Sequence, residues 1–144
     1  MTSSNKNIRR VRLAWAGEDL VFRGGPEEGP VVTVDGSGKE GAAPMNLLLL
    51  SLAGCMGIDI KMILEKSRVP LEGIEIDVIG ERAPEAPRRY LRIELVCRVQ
   101  GPAAPDVAKV VRAVELSRDK YCSVLHSLDP ATDIQVRVES PGVT

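Results

Sequence analysis

The chain contains three cysteines, and their chemistry is the first indication of what the protein could do. A thiolate attacks electrophiles, binds metals, or forms a disulfide with a second thiol. The count is odd, and the first ten residues, MTSSNKNIRR, contain no apolar segment typical of a secretory signal. We therefore expect a reducing cytoplasmic location, in which the cysteines are either reactive or small apolar filler.

The surroundings of each cysteine favour different roles. Cys97 alternates with apolar residues along a strand pattern, which favours a buried structural thiol. Cys55 lies between Gly54 and Gly57 in a helical segment, and each glycine costs about 1 kcal/mol of helix propensity relative to alanine. Something is therefore expected to pack closely there, with Cys55 as filler or as a reactive thiol. Cys122 lies near the first turn of a short helix, where free N–H groups stabilise a thiolate, and both roles stay open for it.

Other catalytic and binding motifs are weak. The glycines at 36, 38 and 41 are not followed by the Lys-Ser/Thr pair of a phosphate-binding loop. His126, the single histidine, has no partner histidine with which to hold zinc, so no metal and no cofactor are expected. It lies four residues after Cys122, but the sequence indicates no third residue to orient such a pair.

Composition excludes several classes of partner. The 144 residues carry a formal net charge of -1, which gives no basic excess for nucleic acid or anionic lipid. Aromatic residues make up 3% of the chain, too few to form a platform on which bases stack. The longest apolar stretch, residues 44–60, is interrupted by polar residues and is shorter than the roughly 20 residues of a membrane span. A buried core helix is expected there instead.

The hydrophobic periodicity predicts an α+β protein with the element order β-β-β-α-β-β-α-α-β, forming a single domain over residues 1–144. Strands are predicted around residues 11–15, 20–22, 31–34, 74–78, 91–99 and 134–138, and helices at 44–68, 105–120 and 121–125. Residues 24–30 are expected to form a loop, and the tail after Ser140 is expected to fray. The first half of the 44–68 helix is apolar on all sides, so other helices or a second subunit must cover it.

Two motifs in this order resemble the OsmC/Ohr family. The segment PMNLLLLSLAGC at residues 44–55, followed by Asp59, is similar to the family's central helix. The segment YCSV at residues 121–124 resembles the divergent OsmC-like branch, which has it where the hydroperoxide reductases proper have Cys-Pro-x-Ser. Cys122 follows Cys55 by 67 positions, and the resemblance extends from about Trp15 to Val138.

The resemblance implies an intertwined homodimer in which the two long central helices pack between the sheets. It also implies a cysteine-based hydroperoxide reductase: Cys55 attacks an organic hydroperoxide, and Cys122 resolves the resulting sulfenic acid to a disulfide. A dithiol, typically a lipoyl group on a carrier protein, then restores both thiols.

One position departs from the family pattern. Family peroxidases activate the cysteine with an arginine from the N-terminal hairpin region and a glutamate just after the helix proline. Here Met45 and then Asn46 follow the proline, and Asn46 offers only a neutral hydrogen bond. Arg23 is the nearest candidate for the arginine, with a solvated charge as the alternative interpretation.

Two functional hypotheses follow from these residues. The first is a cytoplasmic thiol peroxidase that protects against organic hydroperoxides. The second is a dimeric protein of the same fold that binds a small ligand in an apolar interface pocket and has weak or no peroxidase activity.

Overall fold

A computed structural model, which describes residues 5–139, has an α+β fold with two three-stranded sheets. The predicted order of strands and helices is confirmed, while the expectation for the tail after Ser140 lies outside the described residues. The chain divides into two compact units, the first ending at Leu48 and the second beginning at Leu49. The single domain over residues 1–144 stays a prediction.

The first unit contains an antiparallel meander. Its strands are β1 (Val11–Trp15), β2 (Val21–Pro26) and β3 (Val32–Asp35), in the order β1-β2-β3. Gly17, at φ +91°, supplies the left-handed backbone of the turn between β1 and β2. Strand β2 continues to Pro26, three residues into the predicted loop, because Gly24, Gly25 and Pro26 all pair with β1.

A buried carboxylate organises the loop after β3. Asp35 is almost fully buried and accepts hydrogen bonds from the backbone N–H groups of Ser37, Lys39 and Glu40 and from the Ser37 hydroxyl. These hydrogen bonds lower the pKa of Asp35 to about 2, and the bond from the Glu40 N–H has the largest effect. The loop that leads to the long helix is therefore held by an ionised side chain.

The long helix α1 (Pro44–Lys66) has two opposite apolar stripes, one buried and one exposed. Two residues advance a helix by about 200°, so positions that differ by two face opposite sides. The buried stripe consists of Leu52, Met56, Ile60 and Leu64. The exposed stripe consists of Leu50, Gly54, Ile58 and Met62. The chain itself therefore covers this apolar helix on one side.

The length expected for α1 is corrected, and the close packing expected at its glycines is not supplied by the described residues of this chain. The helix has 23 residues and by length and composition alone is apolar enough to cross a membrane, although the core helix of a soluble protein passes the same test. No close packing occurs at its glycines within the described chain. A Cβ on Gly54 would meet no atom within 4 Å, and one on Gly57 would meet only Ile76, at an ordinary contact distance of 3.5 Å.

The second unit contains a mixed sheet. Its strands are β4 (Gly73–Arg82), β5 (Tyr90–Gln100) and β6 (Asp133–Glu139), with β5 in the centre, antiparallel to β4 and parallel to β6. The predicted alternation along β5 is confirmed from Ile93 to Val99 apart from Val96, which is buried on the opposite side, but Leu91 is exposed while Tyr90 is buried. A register shift at Glu81/Arg82 causes the difference, because an extra residue on one strand breaks the alternation of sides.

The amphipathic segment after β5 changes its hydrogen bonding before it ends. Helix α2 (Val107–Leu116) follows a short 3₁₀ turn and continues into a π-helical turn, Ser117–Tyr121, which we call the π-turn. The short helix α3 (Ser123–His126) comes next. The helix that was predicted to end near Lys120 is thus an α-helix only to Leu116, and single π-turns of this kind are frequent at functional sites.

Candidate functional site

Cys55 lies on α1 at the boundary between the buried and the exposed stripe. Its position falls beside Met56 on one side and Gly54 on the other, and its side chain is half-buried. Asp59, four residues later, lies on the same boundary one turn further along. A thiol in this place is held by the core but remains within reach of a small molecule.

Cys122 lies between the π-turn and α3, and its thiol has no exposed surface. Its extended backbone, φ −71° and ψ 99°, places it at the N-cap of α3. There the Leu125 N–H donates to Cys122 Sγ at 3.4 Å, as side chains at this position commonly accept from the first turn. The prediction that Cys122 stands near the first turn of a short helix is confirmed.

The structure brings Cys55 and Cys122 together. Both are free thiols, and they are close enough for Cys55 to raise the pKa of Cys122. Burial is the main cause that raises the pKa of Cys122 to about 11. The neighbouring Cys55 thiol and the charge of Asp59 raise this pKa further, whereas the hydrogen bond from the Leu125 N–H lowers it.

Sequence reasoning did not find the polar contact beside this pair. The Ser117 hydroxyl, fully buried at the start of the π-turn, donates to Asp59 Oδ2 at 2.8 Å. The signal available in the sequence was the spacing of Asp59, four residues after Cys55 on one helix face. Its partner Ser117 lies 58 residues away, and no local pattern indicates such a pairing.

Cys97 belongs to the core, as its strand pattern predicts. It has no exposed surface and lies on the central strand β5, paired with Ile76 on β4 and Val138 on β6. Burial raises the pKa of its thiol to about 11. A neutral thiol that water cannot reach does not react with an electrophile in the folded protein.

Arg23 and Asn46 belong to the first unit, whereas both paired cysteines belong to the second. Arg23 lies on strand β2, opposite Ala14 and Thr33, and its side chain is exposed. Asn46 is exposed in the first turn of α1. The roles that the resemblance implies for these two residues stay predictions.

The second unit also contains a half-open cavity of about 420 Å³ beside this site. Its lining includes Asp59 and Tyr121, the neighbour of Cys122, together with apolar residues of α1 and α2. The lining residues are Asp59, Met62, Ile63, Lys66, Ser67, Leu116 and Tyr121. An apolar cavity with a few polar groups is typical of small-molecule sites.

The residues near this pair do not form a metal site. His126 is exposed on α3, and its backbone N–H donates to the carbonyl of Cys122 at 3.1 Å. Within residues 5–139, no group of three or more His, Cys, Asp or Glu side chains is placed to hold a metal ion. The chemistry that the geometry supports is that of two adjacent thiols.

The family is decided by a match that covers most of the chain. Residues 36–137 match the family model described as OsmC-like protein. The chain belongs to the OsmC-like family. The matched range includes both paired cysteines, and the two-sheet α+β architecture agrees with the fold of solved family members.

Relatives of this OsmC-like protein include chains of similar length. It is 39% identical over 126 residues to Protein YhfA of Escherichia coli strain K12, covering 87% of this chain and 92% of the relative. A hypothetical protein from Aquifex aeolicus superposes with a TM-score of 0.80 at 30% identity, covering 92% and 96% of the two chains. The organic hydroperoxide resistance protein OhrB of Bacillus subtilis superposes with a TM-score of 0.58 at 14% identity, covering 90% and 98%, which shows a likeness of fold alone.

Proposed function

We propose that this OsmC-like protein is a thiol-dependent peroxidase that reduces organic hydroperoxides through Cys55 and Cys122. The observation that carries the proposal is the pair of neighbouring free thiols at the two motif positions. Membership of a family whose solved structures include organic hydroperoxide resistance proteins supports the redox class.

In the first step the Cys55 thiolate attacks the terminal oxygen of the hydroperoxide. The S–O bond forms as the O–O bond breaks, and the departing alkoxide takes a proton to become an alcohol. Cys55 becomes a sulfenic acid, oxidised by two electrons. Cys55 suits this step because it is half-buried, whereas Cys122 is fully buried and, with a pKa of about 11, is protonated at neutral pH.

In the second step Cys122 resolves the sulfenic acid. Its sulfur, losing the proton, attacks Cys55 sulfur, the S–S bond forms, and the hydroxyl leaves as water. A dithiol such as a lipoyl group on a carrier protein then exchanges with the disulfide, is itself oxidised, and returns both thiols. The proposal places this cycle in the cytoplasm, where reducing dithiols are available.

The proposed assembly is a homodimer in which the partner covers the exposed stripe of α1. The exposed fractions of Leu50 and Ile58 are 63% and 62%, and these two apolar side chains lie on the same face of the helix, two turns apart. Gly54 between them would allow another backbone to approach closely. Strand β1 of the first unit also exposes Val11, Leu13 and Trp15.

The replacement Cys55→Ser tests the peroxidase directly. We expect it to abolish consumption of cumene hydroperoxide in the presence of dihydrolipoamide, since serine at neutral pH is not a comparable nucleophile. Cys97→Ala is the matched control, because Cys97 is buried away from the pair. Remaining hydroperoxide is measured by ferrous oxidation, and equal activity in the two variants would reject the mechanism.

A second candidate function is a small-ligand-binding protein of the same fold. Met45, at the position where family peroxidases have a glutamate, favours it, and the cavity of about 420 Å³ offers a site. This function predicts a ligand that copurifies with the protein and thiols that stay free after peroxide treatment. Native mass spectrometry and a thiol titration distinguish it from the peroxidase.

A further inference from the structure

The contact between Asp59 and Ser117 has no part in the steps described above. Ser117 has no exposed surface, and its hydroxyl donates to Asp59 Oδ2 at 2.8 Å. Hydrogen bonds to a carboxylate are roughly twice as strong as those between neutral groups. A buried hydroxyl without such a partner is costly, so the two side chains fix each other's position.

Ser117 is also the residue on which the π-turn closes. Its carbonyl accepts a hydrogen bond of 2.8 Å from the backbone N–H of Cys122, five residues later. This bond places the Cys122 backbone relative to Ser117. Any displacement of Ser117 is therefore transmitted to the residue that carries the second thiol.

Helix α1 contacts this segment at two points. Cys55 contacts Cys122, and Asp59, one turn further along the same face, contacts Ser117. A thiol is a weak donor and a weak acceptor, so the contact between the two sulfurs is by itself a poor constraint. The carboxylate–hydroxyl bond supplies the second, stronger anchor.

We propose that Asp59 is a positioning residue that, through Ser117 and the π-turn, holds Cys122 Sγ within bonding reach of Cys55 Sγ. The inference deepens the proposed function and rests on its redox pair, but it concerns closure of the disulfide whatever the oxidant. Reactions between held groups depend steeply on their placement, so loss of the anchor slows closure.

The test measures disulfide closure with diamide, a diazene oxidant, instead of a peroxide. The Cys55 thiolate adds to the N=N bond and forms an S–N bond, while one nitrogen takes a proton. Cys122 sulfur, losing its proton to water, then attacks Cys55 sulfur. The S–S bond forms, the S–N bond breaks, and the released nitrogen takes a proton from water, so that the diazene leaves as a hydrazine reduced by two electrons. At high diamide the closure step is independent of diamide concentration and is followed by quenched mass spectrometry.

We expect Asp59→Ala and Ser117→Ala each to slow closure by about tenfold, the effect of losing one charge-assisted hydrogen bond. Asp59→Asn retains an oxygen that accepts the Ser117 hydroxyl but loses the charge, so its rate is expected to lie between those of the wild type and Asp59→Ala. The double variant is expected to be no slower than either single alanine variant, since both remove the same bond. Glu65→Ala on α1 and Ser123→Ala beside Cys122 are matched controls outside this contact.

Several outcomes would overturn the inference. Closure at the wild-type rate in both alanine variants would show that the anchor is not needed, and an Asp59→Asn rate as slow as that of Asp59→Ala would assign the effect to the charge. A wild type in which diamide closes no Cys55–Cys122 disulfide would overturn it as well. Circular dichroism identifies any variant that fails to fold, and the remaining variants then carry the comparison.

The proposed function can fail separately. If diamide closes the disulfide quickly in the wild type and slowly in the alanine variants while hydroperoxides do not oxidise Cys55, the positioning role stands without the peroxidase.

Discussion

Cys55 and Cys122 are adjacent but differ in their access to solvent. Cys55 is half-buried on α1, whereas Cys122 has no exposed surface and a pKa raised to about 11, mainly by burial. The first electrophile to enter therefore meets Cys55, and Cys122 reacts only with what is formed on Cys55. The order of the two steps in the proposed cycle follows from this difference.

The replacement Cys122→Ser is expected to stop the cycle after the first step. Without a resolving thiol the sulfenic acid on Cys55 persists, and excess hydroperoxide converts it to the sulfinic acid. Mass spectrometry with dimedone, which captures sulfenic acids, is expected to show the adduct on most of the variant and on a minor part of the wild type. Equal trapping in the two proteins would exclude Cys122 as the resolving residue.

At the scale of elements, the apolar spacing in the sequence correctly predicted the strands and helices whose formation depends on residues close in sequence. Alternation along β5 placed Cys97 in the core, and the apolar spacing of Val107, Val110, Val111 and Val114 predicted α2. The π-turn was not predicted, because a single shift from i→i+4 to i→i+5 bonding leaves the apolar pattern almost unchanged. The contact of Asp59 with Ser117 was not predicted because it joins two helical segments far apart in sequence.

The loop after β3 is expected to weaken in acid. The pKa of Asp35 is lowered from 3.8 to about 2, so its ionised form stabilises the fold above pH of about 4, and this contribution is lost as pH falls through about 2. Asp35→Asn is expected to lower the urea midpoint at pH 6, with a difference from the wild type that shrinks toward pH 2.

Glu28→Gln, an exposed carboxylate of the same unit, is the control for the acid series. Its urea midpoint is expected to follow that of the wild type throughout. A difference between Asp35→Asn and the wild type that stays constant from pH 6 to pH 2 would contradict the role of the ionised form.

At the scale of the whole molecule, α1 has an apolar surface that the described residues of the second unit do not cover. The sequence predicted that a helix apolar on all sides needs cover, and the structure identifies the uncovered side as the stripe from Leu50 to Met62. The glycine at position 54 has open space where close packing was expected. Contacts within one chain leave this stripe exposed, and in the proposed homodimer the partner subunit covers it.

The replacement Ile58→Glu is expected to weaken self-association by about a hundredfold or more, because an unpaired charge would be buried in each half of a symmetric interface. Ile79→Glu, at an equally exposed isoleucine on β4, is the matched control. Sedimentation velocity over a concentration series measures the effect. Identical association in the two variants would locate the interface elsewhere.

The burial of Cys97 at the centre of the second sheet gives the molecule an internal reporter of its own opening. With both redox cysteines replaced by serine, Cys97 is the single thiol left, and because it has no exposed surface no label reaches it until the core around β5 opens. Its alkylation rate then reports how often this core opens, in the same way that the hydrogen-exchange rate of a protected amide reports opening of its surroundings. The thiol that takes no part in the proposed chemistry thus measures the free energy of opening of the fold around it.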